Sequence, residues 1–104
     1  MSVSACITSV SGPVLLAEER AFLRDAQPWG VILMGRSCVS KAQVAALTDE
    51  IKSALGRDAL IFIDQEGGRV ARLKAPEWPK FPAAGAYGDL FESAPEAAEK
   101  ACYL

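Results

Sequence analysis

Histidine is absent from the 104 residues. That removes the usual general base near neutral pH, the usual proton shuttle and the usual zinc ligand. Catalysis within this chain would have to rest on carboxylates, Lys, Tyr or Cys. Cysteine is scarce. Cys6, Cys38 and Cys102 are an odd, widely spaced set that matches neither a metal-ligand spacing nor a CxxC redox pair. They read as reduced, buried or half-buried thiols of a cytosolic protein. No apolar run approaches the ~18 residues of a membrane span. The opening Met1-Ser2-Val3-Ser4-Ala5-Cys6 lacks the charged and long apolar regions of a secretory leader. An excess of basic charge is missing too. The formal net charge is -2, and Arg and Lys are scattered among acids with no basic stripe. The expectation is therefore a soluble, cytoplasmic chain with no membrane and no nucleic-acid partner.

What is present suits one small α/β domain. Apolar residues make up 51% and charged residues 23%, enough for a modest core with a solvated surface. Residues 5–10 form a short apolar and β-branched run stopped by Ser11-Gly12-Pro13, which predicts a strand and a turn. Residues 18–26 carry Phe22 and Leu23 among charges, which predicts a short helix ended by Pro28. Gly30-Val31-Ile32-Leu33-Met34 is a continuous apolar run, as in a parallel strand buried on both faces.

Ser40, with Gln43 three residues on, predicts a capped helix start. Val44, Leu47, Ile51 and Leu55 then recur at helical spacing, and Gly56 ends the helix. Leu60–Ile63 is a third apolar strand. Residues 64–88 read as one long irregular loop with Pro76, Pro79 and Pro82, a length that points to function. Ser93, with Pro95 in the first turn and Glu96 three residues on, predicts a last helix that still runs at Leu104.

Strand and helix alternate as in parallel α/β folds, either a doubly wound sheet or a (β/α)8 barrel. A barrel needs ~250 residues. Under that reading, residues 1–104 supply its first part, about three β/α units, truncated at Leu104.

The chemistry concentrates in Asp64-Gln65-Glu66-Gly67-Gly68-Arg69-Val70-Ala71-Arg72. Asp64 stands where an apolar strand ends, the edge at which parallel α/β proteins bind ligands. Gly67-Gly68 permits unusual backbone angles and close approach of a ligand or another backbone. Arg69 and Arg72 offer forked donors to carboxylates or sugar oxygens. Several readings fit the residue types. Asp64 and Glu66 could be a glycosidase acid and nucleophile, or a magnesium site. Glu66, Arg69 and Arg72 could instead form a salt-bridged scaffold with only Asp64 facing ligand. A phosphate-binding glycine loop is a further alternative, without the Lys-Ser/Thr or GxGxxG context it needs.

The segment Ile61-Phe62-Ile63-Asp64-Gln65-Glu66-Gly67-Gly68-Arg69-Val70-Ala71-Arg72, followed by Phe81-Pro82-Ala83-Ala84, resembles the signature of the bacterial β-N-acetylhexosaminidases of glycoside hydrolase family three. Gly12-Pro13, Glu18-Glu19-Arg20 and Trp29-Gly30-Val31-Ile32-Leu33-Met34-Gly35-Arg36 resemble the opening of that family, in the same order. Met34-Gly35-Arg36-Ser37 departs from its more familiar Phe-x-Arg-Asn.

The resemblance implies removal of terminal N-acetylglucosamine from 1,6-anhydro-muropeptides in cytoplasmic peptidoglycan recycling. The mechanism would be retaining, without metal or cofactor. It implies that Asp64 accepts hydrogen bonds from sugar hydroxyls, that Arg72 contacts substrate, and that Glu66 is not the nucleophile. The family's nucleophilic Asp, its acid/base His and a sugar-binding Lys-His pair come later. The chain alone is thus expected to hold no catalytic residue, to turn over nothing, and to be marginally folded or self-associating. The alternative expectation is a non-catalytic sugar-binding or interaction remnant of the same fold.

Overall fold

The computed structural model describes residues 2–103. The chain divides into two units, residues 1–64 and 65–104.

The first unit is a βαβαβ arrangement: β1 (Ser4–Thr8), α1 (Ala17–Ala26), β2 (Pro28–Leu33), α2 (Lys41–Leu55) and β3 (Leu60–Ile63). The three strands are parallel and lie in the order β1-β2-β3. The adjacent parallel strands expected from the sequence are therefore present. β1 is shorter than its apolar run, and Pro28 opens β2 rather than merely ending α1.

The junction before Pro28 is set by Gln27, which closes α1 in the left-handed region at φ 49°. Its side chain is buried, a position that needs partners. Its Nε2 donates to the carbonyls of Arg24 (3.1 Å) and Leu55 (3.0 Å). Its Oε1 accepts from Arg57 Nε at 3.1 Å. One amide thereby ties the C-terminal ends of both helices together.

Helix α2 follows the sequence reading closely. Ser40 Oγ accepts from the Gln43 N–H at 3.2 Å, and the Gln43 side chain reaches back to the Val39 N–H at 2.7 Å. Gly56 closes the helix with φ 70°. The periodic face of α2 buries Leu47, Ile51 and Leu55 with Leu23 of α1 against Val31 and Leu33 of β2. Val10 and Ala59 complete this core, and Ile61 and Ile63 of β3 pack on it.

The other face of the sheet is less covered than the continuous apolar runs imply. Ile7, Gly30 and Leu60 are register partners across the three strands. Ile7 is 45% exposed and Leu60 49%. Phe62 lies over Gly30, where a methyl group would come within 2.6 Å of its ring. Trp29 stacks on Phe62 with centroids 5.6 Å apart, yet remains 48% exposed. Only β2, the central strand, is buried along most of its length.

The second unit corrects the long-loop reading. Residues 64–88 contain a small antiparallel hairpin, β4 (Gln65–Gly67) with β5 (Val70–Ala71), and the start of α3 (Ala84–Ser93). Gly85 and Gly88 disguised this helix, because glycine is a poor helix former. Ser93 is its last residue and not the cap of the next one. Its hydroxyl donates to Leu90 O at 3.4 Å. Ala94 is instead the N-cap of α4 (Pro95–Cys102), with Pro95 in the first turn as expected. The helix expected to run on at Leu104 ends at Cys102, with Tyr103 as its C-cap. Leu104 itself lies outside the described residues. Among the described residues, no helix is long and apolar enough to cross a membrane.

Candidate functional site

Asp64 follows β3 directly, at the C-terminal end of that strand, and is half-buried. Two other groups gather at the same end of the parallel sheet. Arg36, in the turn after β2, donates from Nε to Val10 O at 3.1 Å and from Nη2 to Ser9 Oγ at 3.1 Å. It thereby fastens the end of β2 to the segment leaving β1. Glu19, in the first turn of α1, accepts from the Ser11 N–H at 2.6 Å and the Leu16 N–H at 2.9 Å. Burial pushes its carboxyl up, but these hydrogen bonds and the nearby Arg36 charge outweigh that and hold it below its ordinary value of 4.5. The resemblance quoted Glu19 and Arg36 only as family landmarks. Their geometry gives both a scaffolding part: they fix the turns at the strand ends.

In the second unit the glycine pair serves backbone and not ligand. Gly67 and Gly68 have φ 83° and 58°. A side chain at Gly67 would run into Pro82 O, and one at Gly68 would meet Ala83 Cβ at 2.8 Å. The Gly68 N–H donates to Phe81 O at 3.0 Å. The space that a phosphate loop would leave for its ligand is filled by residues 81–83, which removes the phosphate reading. The pairing of the motif glycines with Phe81-Pro82-Ala83 also explains physically why those segments go together in the sequence.

The salt-bridged scaffold is not seen at Glu66 and Arg69. Ion pairs among the described residues include Arg20–Glu50, Arg24–Asp25 and Lys52–Asp58. Glu66 and Arg69 are exposed and join none of them. Gln65, which the sequence reading passed over, does the tying. Its Oε1 accepts from the N–H groups of Arg72 (2.9 Å) and Leu73 (3.0 Å), and its Nε2 donates to Leu73 O (2.9 Å). Arg72 is half-buried after β5, its backbone held by this clamp. Asp64 thus closes the first unit while Arg72 belongs to the second. Among the described residues, no group of three His, Cys, Asp or Glu side chains is gathered as for a metal ion.

Trp78 and Tyr87 are half-buried, and Phe81 is 43% exposed. Trp78 and Phe81, between β5 and α3, and Tyr87, within α3, therefore divide between packing and open surface.

No family model matches the chain. Curated and solved proteins do. A β-hexosaminidase of Bordetella avium is 37% identical over 92 residues, which is 88% of this chain and 26% of that protein. The crystal structure of NagZ from Neisseria gonorrhoeae in complex with zinc ion covers 94% of this chain with a TM-score of 0.86 at 29% identity. The complex of that protein with N-trifluoroacetyl-D-glucosamine gives 0.84 at 30% identity over the same share. In both cases the match takes up 29% of the solved chain. A glycoside hydrolase family 3 β-N-acetylglucosaminidase from Paenibacillus covers 80% of this chain, with a TM-score of 0.73 and 29% identity. The chain spans about a quarter of the length of the curated relatives it matches.

Proposed function

We propose, from the premise that this chain shares its family with the β-hexosaminidases of glycoside hydrolase family 3, that it forms the sugar-holding opening portion of such an enzyme. The observation that carries the reading is the 37% identity over 92 residues, combined with the placement of Asp64 at a C-terminal strand end. β1, β2 and β3 with their helices serve as about the first three β/α units of a (β/α)8 barrel, in which ligands sit at that end of the strands.

Asp64 accepts hydrogen bonds from hydroxyls of a terminal N-acetylglucosamine, and Arg72 donates to the same sugar. Both residues fix the sugar's orientation, so that binding energy remote from the reacting carbon is spent on alignment. The parent reaction is retaining hydrolysis: a carboxylate attacks the anomeric carbon, and water then releases the glycosyl-enzyme. The substrate class is the 1,6-anhydro-muropeptides of cytoplasmic peptidoglycan recycling. The 104 residues supply neither nucleophile nor acid/base, so by themselves they hydrolyse nothing.

A chimera tests this. The matching segment of the Bordetella avium β-hexosaminidase is replaced by this chain and assayed on a chromogenic N-acetylglucosaminide. The chimera should turn over the substrate. Asp64→Ala within it should lower kcat/KM by about 10- to 150-fold, the worth of hydrogen bonds to a charged group. Equal kinetics with and without Asp64 would remove that residue from the site. A folded chimera with no activity would overturn the assignment of the segment.

A further inference from the structure

The hairpin and the turn that follows β5 line a cavity that the sugar reading does not use. Its volume is about 340 Å³, and it lies wholly within the second unit. Its walls are apolar, from Ala71, Leu73, Pro79 and Phe81, while Arg69, Lys74 and Lys80 bring three cationic side chains to its lining. No Asp or Glu lines it. None of these three cations belongs to an ion pair among the described residues.

The walls are fixed rather than collapsed. The Gln65 clamp holds Leu73, the Trp78 N–H donates to Lys74 O at 3.1 Å, and the Gly68 N–H donates to Phe81 O at 3.0 Å. A concave space of a few hundred Å³, mostly apolar with a few convergent polar groups, is the usual form of a small-molecule site. With three cationic residues and no carboxylate, the lining carries a net positive charge that an anion would balance.

We propose that this cavity binds a small organic carboxylate. The planar fork of Arg69 matches a carboxylate in two parallel hydrogen bonds, with Lys74 and Lys80 adding compact charge. The apolar walls of Leu73, Pro79 and Phe81 take the hydrocarbon part next to that carboxylate, which a bare inorganic anion does not offer. The proposal stands independently of the sugar reading, since it uses neither Asp64 nor Arg72.

The test is a titration of the isotopically labelled 104-residue chain, followed by amide and Arg side-chain nuclear magnetic resonance. The probes are N-acetyl-L-alanine, its uncharged amide, and inorganic phosphate. The carboxylate should give saturable shifts confined to residues 65–81 and the Arg69 side chain. The amide should give none, and phosphate should bind more weakly than the carboxylate. Arg69→Gln should weaken the carboxylate by about tenfold or more, as expected for losing a charge-assisted bidentate contact. Lys100→Gln, on α4 and outside the cavity lining, should leave it unchanged. Equal affinity for the amide, phosphate preferred over carboxylate, or an unaltered response in Arg69→Gln would each overturn the proposal. A chain whose residues 65–81 give no dispersed resonances has no such cavity, and would overturn it as well.

Discussion

Gln65 grips Leu73 from both sides of its own amide: Oε1 accepts from the Leu73 N–H at 3.0 Å and Nε2 donates to the Leu73 carbonyl at 2.9 Å. A single side chain thus satisfies both backbone groups of a residue that lies beyond the end of β5. A third bond, from the Arg72 N–H at 2.9 Å, makes this amide the pin of the hairpin. Gln65→Glu should unpin it selectively, because a carboxylate accepts but cannot donate to a carbonyl. The cost should be about 1–2 kcal/mol, seen as faster hydrogen exchange at Arg72 and Leu73 with α2 unaffected.

The glycines separate into those whose space is needed and those whose space is empty. Gly67→Ala combines a positive φ with a collision against Pro82 O, so it should destabilise by about 1–3 kcal/mol or more. Gly88→Ala lies in α3 with nothing within 4 Å of the new methyl, so it should stabilise by about 0.5–1 kcal/mol. Denaturant midpoints of the two variants should move in opposite directions.

The Glu19 carboxyl predicts a pH dependence with a definite sign. A group whose pKa is depressed on folding stabilises the fold above its unfolded value, here about 4.5, and that contribution is lost as pH falls through the folded pKa. Glu19→Gln should therefore be less stable than the parent chain at neutral pH. The gap should close as the pH drops below 4.5. A gap that widened on acidification would contradict the hydrogen bonds from Ser11 and Leu16 as its source.

The thiols should label in an order set by burial. Burial raises Cys38 above its ordinary 9.0, whereas Cys6 and Cys102 are exposed. The thiolate is the reacting form, so Cys38 should react last with a disulfide reagent at pH 8 under native conditions. Three equal rates in the folded chain would contradict the packing of Cys38 on the first unit's core.

The sequence was most legible where one residue type does one physical job. Ser40, Gln43 and Gly56 mark α2, and the apolar run at Leu60–Ile63 marks a strand with Asp64 at its end. It was least legible where tertiary partners decide. Gly67 and Gly68 left open whether ligand or backbone would approach, and the distant Pro82 and Ala83 settle it. Gly85 and Gly88 hid α3 because propensity is a weak prior that packing overrides. Charge alone suggested that Glu66 and Arg69 would join a salt-bridged scaffold, and they take no part in the ion pairs above. The neutral amide of Gln65 proved the better clamp, because it both donates and accepts in the narrow hairpin. The proposal that Asp64 holds sugar rests on its strand-end position together with the family resemblance, since a lone carboxylate after an apolar strand fits several chemistries.

The second face of the sheet carries the last prediction. Ile7 and Leu60 flank Gly30 in one row across the three strands, and the Trp29 ring contacts that of Phe62, which lies over Gly30. Ile7, Trp29 and Leu60 are each close to half exposed. Contiguous exposed apolar surface on a sheet is an association site. Burying each large side chain contributes about 1.5–3 kcal/mol. That is a sizeable share of the ~5–15 kcal/mol by which whole domains are stable. The 104-residue chain should therefore self-associate through this face. Size-exclusion chromatography over a concentration series should show a rising apparent mass, and denaturant midpoints should rise with concentration. Leu60→Lys should suppress both effects while leaving the Leu23–Leu47–Ile51 core intact, because Leu60 lies outside the buried cluster. A concentration-independent monomer with an unchanged midpoint would mean that the helix-covered face alone suffices to hold the three strands.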